Sequence, residues 1–191
     1  MISAASGVAV EVRGRRPEDL RSLTELARRV HALDHYPPYM PNDDFAGFLQ
    51  SQDAIAAWAA VVDGQTVGHV ALHQRSSVEV MRLACDELGI SPDRIGVVSR
   101  LVVDPQHRRI GAAQQLLRAA QAETTVRGRI PILDVAEQFV PAIALYEREG
   151  WTRLGTVSVQ LPDGTSLHEH VFASPEPLRL STGALHRSTR S

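Results

Sequence analysis

Residues 101–117 constrain the fold more than any other stretch of the chain. They pass from the apolar residues Leu101, Val102 and Val103 through a basic turn into a segment whose apolar residues recur at helical spacing. The apolar run indicates a buried strand, and the spacing after it indicates a helix. The first N–H groups of a helix have no partner within the helix and carry partial positive charge. The stretch therefore predicts an anion-binding turn between a strand and a helix.

The residues of this turn suit a diphosphate. Arg108 and Arg109 supply fixed positive charge that can pair with phosphate oxygens. Small residues follow at Gly111, Ala112 and Ala113, and they let a phosphate come close to the backbone. Residues 108–113 lack the three-glycine pattern of dinucleotide-binding proteins, and no repeated βαβ order surrounds them. A dinucleotide-dependent oxidoreductase is therefore disfavoured.

Two segments resemble the GNAT acyltransferase superfamily. Residues 108–113 read Arg-Arg-Ile-Gly-Ala-Ala and match its Arg/Gln-x-x-Gly-x-Gly/Ala motif. Residues 142–151 read Ala-Ile-Ala-Leu-Tyr-Glu-Arg-Glu-Gly-Trp and are similar to its Ala-x-x-Leu-Tyr-x-x-x-Gly-Phe/Trp segment. Both occur in the family's order. The resemblance implies an α/β (α+β) fold with a mixed, mostly antiparallel central sheet flanked by helices, and an enzyme that transfers an acyl group from acetyl-CoA to an amine.

The same resemblance implies which residues bind acetyl-CoA. The strand would lie along the pantetheine arm, an N–H near Val103 would donate to the thioester oxygen, and the N–H groups of the turn would bind the diphosphate. The family often has an asparagine where this chain has Phe139, so that contact would be lost or replaced. The expected residues are Leu101, Val102, Val103, Arg108, Arg109, Ile110, Gly111, Ala112, Ala113, Gln114, Phe139 and Ala142.

Tyr146 stands where the resemblance places a general acid. A neutral phenol can protonate the leaving CoA thiolate at pH 7, although a core tyrosine with a locally satisfied hydroxyl is the alternative. The general base is less well defined, because the strand that often carries a glutamate in the family has no carboxylate here. Ser99 could order a water that takes the amine proton. His35 and His73 are alternative bases, since imidazole titrates near neutrality.

The acceptor amine is expected at the least patterned segments, above all the proline-rich loop at residues 33–41. Carboxylates and aromatic rings in this loop could receive a cationic amine, although a solvated loop is an equal interpretation. The substrate-binding candidates are His35, Tyr36 and His73. His168 and His170 would share one side of a strand, but two histidines without a third ligand make a poor zinc site. No metal is therefore expected.

Composition limits the partners. The formal net charge of −2 argues against broad nucleic-acid binding, which needs a basic face. The single cysteine excludes an internal disulfide and favours the cytoplasm. Neither a signal peptide nor an apolar run long enough for a membrane span is apparent. The expected partner is a small-molecule or peptide amine. Pairing into a homodimer is compatible with this fold but is not fixed by the sequence.

Hydrophobic spacing predicts the order β, α, α, β, β, α, β, α, β, α, β, β. A first strand is expected at residues 8–12. Hairpins are expected at 56–73, around Asp63-Gly64, and at 152–172, around Pro162-Asp163-Gly164. Residues 8–173 are expected to form one domain, with a flexible N-terminus at 1–7 and a disordered tail at 174–191.

Three functional hypotheses remain open. The leading one is an acetyl-CoA-dependent N-acetyltransferase whose acceptor amine attacks directly in a ternary complex. The second is a catalytically inactive module that binds acyl-CoA, favoured by the missing strand carboxylate and by Phe139. The third is a toxin-like enzyme that acetylates aminoacyl-tRNA, which the acidic charge disfavours.

Overall fold

The computed structural model describes residues 9–175. Seven strands form one sheet in the order β1-β2-β3-β4-β5-β7-β6. All neighbouring strands are antiparallel except β4 and β5, which are parallel. The strands are β1 Glu11–Gly14, β2 Ala54–Val62, β3 Gln65–His73, β4 Ile95–Val103, β5 Ile130–Ala136, β6 Thr152–Gln160 and β7 Ser166–Ala173. The predicted mixed, mostly antiparallel sheet is confirmed.

Five α-helices accompany the sheet in the described part of the chain. They are α1 Leu20–Asp34, α2 Phe45–Leu49, α3 Val78–Leu88, α4 Ala112–Val126 and α5 Val140–Arg148. Local sequence explains their ends: Ser77 accepts a hydrogen bond from the Val80 N–H at the start of α3, and Gly89 ends that helix at a φ of 63°. The helix order agrees with the order predicted from hydrophobic spacing.

Opposite faces of the sheet pack against different helices. Alternating strand residues face opposite sides, so Val98 packs with Leu116 and Leu117 of α4 while Val97 packs with Val80 of α3. Helices α1 and α2 form a third apolar cluster that includes Val102 at the end of β4. The end of β4 therefore lies between α4 on one side and α1 and α2 on the other.

Two predicted boundaries differ from the structure. The first strand begins at Glu11, because its pairing with β2 runs from Glu11↔Val61 to Gly14↔Trp58. Ser174 was expected in the tail, but it is buried and its N–H donates to the Pro131 carbonyl at 2.9 Å. The predicted flexible N-terminus and the tail from residue 176 lie outside the described residues.

Candidate active site

Strands β4 and β5 stay paired over a short distance only. Their parallel pairing ends at Val97↔Ile132, and the later residues of β4 have no strand neighbour on that side. A cavity of about 1180 Å³ opens at this divergence and extends to the start of α4. An extended strand edge with free backbone groups can hydrogen-bond an amide-containing chain. This arrangement provides the edge that the sequence predicts for a pantetheine arm.

The turn between β4 and α4 is held by Asp104. Its carboxylate accepts from the Gln106 N–H at 3.0 Å and from Arg29 at 2.5 Å. Burial raises the pKa of Asp104, but these two donors outweigh it and leave the pKa below its usual value. Asp104 is thus an ionised anchor that fixes the turn against α1, a role that the sequence analysis did not predict.

The start of α4 requires a glycine. Gly111 has a φ of 85° and occupies the N-cap without contributing a side-chain cap, so the first N–H groups of the helix face the cavity mouth unblocked. Only glycine adopts this conformation without strain. The turn therefore offers the anion-binding helix start that the sequence predicts.

The two arginines of the turn differ in their surroundings. Arg108 forms an ion pair with Asp34 at the end of α1. Arg109 has a φ of 64°, is exposed and has no ion-pair partner among residues 9–175. Gln114 donates to Glu149, which also pairs with Arg118 at 3.2 Å. Arg109 is therefore the arginine of the turn that is free to meet a phosphate, whereas Arg108 also ties the turn to α1.

Almost all the predicted acetyl-CoA residues line the cavity. Ile110 does not, because its side chain packs against the core beneath the sheet, and only its backbone belongs to the turn. Phe139 lines the cavity and meets the Tyr36 ring edge-on at a centroid distance of 5.4 Å. The residues at the cavity are Leu101, Val102, Val103, Arg108, Arg109, Gly111, Ala112, Ala113, Gln114, Phe139 and Ala142.

A bulge interrupts β4 beside the cavity. Arg100 has a φ of 56°, and the pairing of β3 with β4 shifts register there. His69 Nδ1 donates to the Arg100 carbonyl at 3.1 Å. Burial lowers the pKa of His69 to about 3, so this imidazole stays neutral. His69 is therefore a neutral support that holds the bulge open from the neighbouring strand.

Two carboxylates enter the cavity from β5 and β7. Asp134 lies two residues before Ala136, which pairs with Glu169, so the two side chains are diagonal neighbours on one face of the sheet. Ser76 donates to Asp134 at 2.8 Å. Burial raises the pKa of Asp134, and burial together with the neighbouring Asp134 raises the pKa of Glu169 to about 8. Each of these carboxylates, once ionised, is therefore a stronger base than an ordinary surface carboxylate and can take up another group's proton.

The sequence analysis missed this carboxylate pair. Asp134 is the one charged residue in the apolar strand β5, and a lone carboxylate in a buried strand could have been recognised as functional. Glu169 lies between two histidines that drew attention as metal ligands. No three side chains of His, Cys, Asp or Glu in residues 9–175 converge as a metal site.

Two of the three tyrosines that line the cavity pack against other aromatic rings. Tyr146 packs against Trp151 and Phe172, and Tyr36 contacts Phe48 and Phe139. Burial raises the pKa of both phenols above the usual value, and nearby carboxylate charge adds to the effect. Both hydroxyls therefore remain protonated over the whole physiological range and can donate a hydrogen bond or a proton as neutral groups.

The remaining predicted residues separate into two groups. Ser99 Oγ and His73 Nε2 are buried without a hydrogen-bond partner, and both residues line the cavity. Burial lowers the pKa of His73 to about 4, which makes it a poorer base than the carboxylate pair at neutral pH. His35 does not reach the cavity lining, because it ends α1 in the left-handed conformation with an exposed side chain.

Together, the open strand edge, the anion-binding turn and the proton-accepting pair define a transferase site for an acyl-CoA. The model of the acetyltransferase (GNAT) family matches residues 19–151. The chain therefore belongs to the acetyltransferase (GNAT) family. It is a GNAT N-acetyltransferase domain, and its acyl donor is acetyl-CoA, as the sequence predicts. No curated protein is significantly similar to the chain.

Solved structures show the same fold. Arabidopsis thaliana NAA60 in complex with acetyl-CoA is 21% identical with a TM-score of 0.64, over 86% of this chain and 97% of that chain. The ribosomal-protein-S18-alanine N-acetyltransferase of Escherichia coli is 17% identical with a TM-score of 0.60, over 87% and 93%. The putative acetyltransferase yncA of Salmonella typhimurium, solved with acetyl-CoA, is 17% identical with a TM-score of 0.62, over 86% and 92%.

None of the helices in the described residues has the length and apolar character needed to cross a membrane.

Proposed function

We propose that this protein transfers an acetyl group from acetyl-CoA to the nitrogen of a primary amine, by direct attack while both substrates are bound. The observation that carries the proposal is the joining of two sites in one cavity: the free edge of β4 with the start of α4, and the carboxylate pair of Asp134 and Glu169. No covalent enzyme intermediate is needed, because both sites line the same cavity.

Acetyl-CoA supplies a thioester, whose carbonyl carbon is open to attack. The free N–H groups of β4 near Val103 can donate to the carbonyl oxygen as negative charge grows there, and one such donor contributes about 3–4 kcal/mol. The turn and the start of α4 hold the diphosphate with Gly111 and Arg109. These groups are largely backbone, so they bind without reorganising.

Protons move at both ends of the transfer. The amine loses a proton as its nitrogen bonds to the acetyl carbon, and the carboxylate pair of Asp134 and Glu169 accepts that proton. The carbon–sulfur bond then breaks, and the Tyr146 hydroxyl gives its proton to the thiolate of CoA. Water in the open cavity returns a proton to the Tyr146 phenolate and takes up the proton that the carboxylate pair received, so both groups are restored. Ser99 and His73 hydrogen-bond a water molecule or the acceptor amine between these groups, since their buried polar atoms have no hydrogen-bond partner among the described residues.

The acceptor is a small-molecule or peptide amine. Arabidopsis thaliana NAA60 has also been solved with a bisubstrate analogue, which is in keeping with a ternary complex in this fold. The single cysteine Cys85 is in keeping with a reducing compartment such as the cytoplasm.

An initial-rate study with a panel of amines tests the proposal. CoA thiol release is followed while acetyl-CoA and amine concentrations are varied, and the product mass is measured. Intersecting double-reciprocal lines with an acetylated amine are expected. Parallel lines would contradict direct attack. Acetyl-CoA binding without CoA release by any amine would favour the inactive acyl-CoA-binding module instead.

A further inference from the structure

The acceptor side of the cavity holds an arginine that has no ion-pair partner in the part of the chain that the structure describes. Arg100 extends from the β4 bulge, lies over the Phe48 ring at 4.8 Å and donates to the Phe48 carbonyl. No carboxylate among residues 9–175 is within ion-pair distance of it. Asp53 at the rim acts on it only through space. A partly buried cation without a partner is costly, so this guanidinium is available to an anion.

The same cavity holds two carboxyl groups that have no ion-pair partner among the described residues. Asp134 accepts a hydrogen bond from the Ser76 hydroxyl, and neither Asp134 nor Glu169 pairs with a cation there. Tyr36 lines the same cavity as Arg100, Asp134 and Glu169. Burial contributes most to raising the Tyr36 pKa, Asp134 and Glu169 add to the rise, and Arg100 opposes it. Both signs of charge therefore face the acceptor around one phenol.

Resting on the proposed function, we propose that the acceptor is a small amino-carboxylic acid. Its ammonium group lies at Asp134 and Glu169, where it loses one proton before the neutral amine attacks, and its carboxylate lies at Arg100. A simple amine would leave Arg100 unpaired. A peptide amino terminus lacks a carboxylate on its first residue and would do the same. Arginine binds a carboxylate through two parallel hydrogen bonds, and Arg100 has N–H groups beyond the one that Phe48 takes.

Matched acceptor pairs test this proposal. Each L-amino acid and its α-amide carry the same amine and side chain and differ only in the carboxylate. A charge-assisted contact predicts that kcat/KM for the best acid exceeds that for its amide by about 30-fold. Acetylation of amides or peptides as fast as acids would overturn the proposal while leaving the proposed acetyl transfer intact.

Three variants separate charge from structure. Arg100→Met keeps an unbranched apolar stem but removes the guanidinium, and it should reduce the acid/amide ratio to about one without changing the Kd for acetyl-CoA. Arg100→Lys keeps the charge but not the two parallel hydrogen bonds, so it should keep part of the preference for the acid. Arg94→Met removes an arginine that bonds the Gly128 carbonyl far from the cavity, and it should leave the ratio unchanged. An unchanged ratio in Arg100→Met would contradict the proposal.

A binding measurement tests the acceptor assignment even if the protein releases no CoA with any amine. L-amino acids and their amides are titrated calorimetrically into the wild-type protein saturated with CoA. Binding of an acid without its amide would support the acceptor assignment even if the proposed transfer failed. Binding of neither member of any pair would overturn it.

Discussion

The two halves of the cavity present different chemical groups to their substrates. The donor half, formed by the end of β4, the turn and the start of α4, presents backbone groups made accessible by Gly111 and its small neighbours. The acceptor half presents side chains from a loop, β3, β4, β5 and β7, including Tyr36, Arg100, Asp134 and Glu169. The backbone groups would bind CoA, whereas the side chains would determine which acceptor binds and how its proton is removed. Substitutions should therefore affect the halves separately.

The largest expected effect is on the donor half. Gly111→Asp introduces a negatively charged side chain beside the predicted diphosphate, at a residue whose φ is 85°. Like-charge contact costs several kcal/mol, so the Kd for acetyl-CoA should rise by more than about 1000-fold. Gly128→Asp is the matched control: Gly128 also has a positive φ, 69°, but lies beyond the other end of α4. Calorimetry should show normal binding to Gly128→Asp, and equal losses in both variants would contradict the assignment.

The next effect belongs to the acceptor half. Glu169→Gln removes a proton acceptor, so kcat should fall by about 100-fold while the Kd for acetyl-CoA stays unchanged. In the wild type, kcat/KM should rise with pH up to the apparent pKa of the pair, near the value of about 8 for Glu169. This rise should be altered in the variant. Glu137→Gln removes an exposed carboxylate near the end of β5 and should leave the rate and profile unchanged.

Stability provides a check on the same variant. Because the Glu169 pKa is raised from 4.5 to about 8, the folded state holds a proton that the unfolded state releases. The contribution of Glu169 to the free energy of unfolding is therefore fully present below pH 4.5 and is lost as the pH rises to about 8. Glu169→Gln should have a higher Tm than the wild type at pH 8 although its activity is lower. A lower Tm would show that the activity loss is structural.

A smaller effect is expected at the junction of the halves. Tyr146→Phe removes only the hydroxyl of a buried ring, so the fold and both substrate KM values should be preserved. Loss of one neutral donor to a developing thiolate should reduce kcat by about 10-fold. Steady-state kinetics with thermal unfolding distinguish the outcomes. An unchanged kcat would assign Tyr146 to the core alone, as Trp151 and Phe172 around it allow.

The smallest expected effect is on stability, at His69, which hydrogen-bonds the bulge of β4. His69 has a pKa of about 3, whereas an unfolded histidine titrates near about 6.5. The unfolded state therefore binds the proton first, and stability is lost as the pH falls below about 6.5. His69→Asn keeps an N–H donor for the Arg100 carbonyl and does not titrate. Between pH 7 and 5 it should lose about 1–2 kcal/mol less stability than the wild type.

Chemical denaturation at several pH values measures this difference. His168→Asn is the matched control, because His168 lies exposed on β7. It should lose stability on acidification as the wild type does. A wild-type slope in His69→Asn would contradict the neutral buried imidazole.

The contrast between the halves also explains what the sequence could predict. The donor half is continuous in sequence, so residues 101–117 revealed its strand, turn and helix, with Gly111 at the position that requires positive φ. The element order followed from local hydrophobic spacing. The start of β1 was misplaced because strand ends depend on the partner: Glu11 is the first residue with a pairing position on β2.

The acceptor half could not be predicted in this way. Asp134 and Glu169 are separated by a helix and a strand, and their contact depends on β7 inserting between β5 and β6. Their pKa values are raised by burial, which no local pattern records. Asp104 and His69 likewise act through partners on other elements. His35 was favoured by its residue type, but the end of α1 turns it to solvent.

The most direct test of the two-part cavity is one double variant, Asp134→Asn with Glu169→Gln. Acetyl-CoA is titrated into it calorimetrically, and its rate of acetyl transfer is measured with the best acceptor of the wild type. The account predicts wild-type affinity for acetyl-CoA and a rate at least about 100-fold lower. Wild-type transfer, or loss of acetyl-CoA binding in a folded variant, would contradict the separation of donor binding from acceptor chemistry.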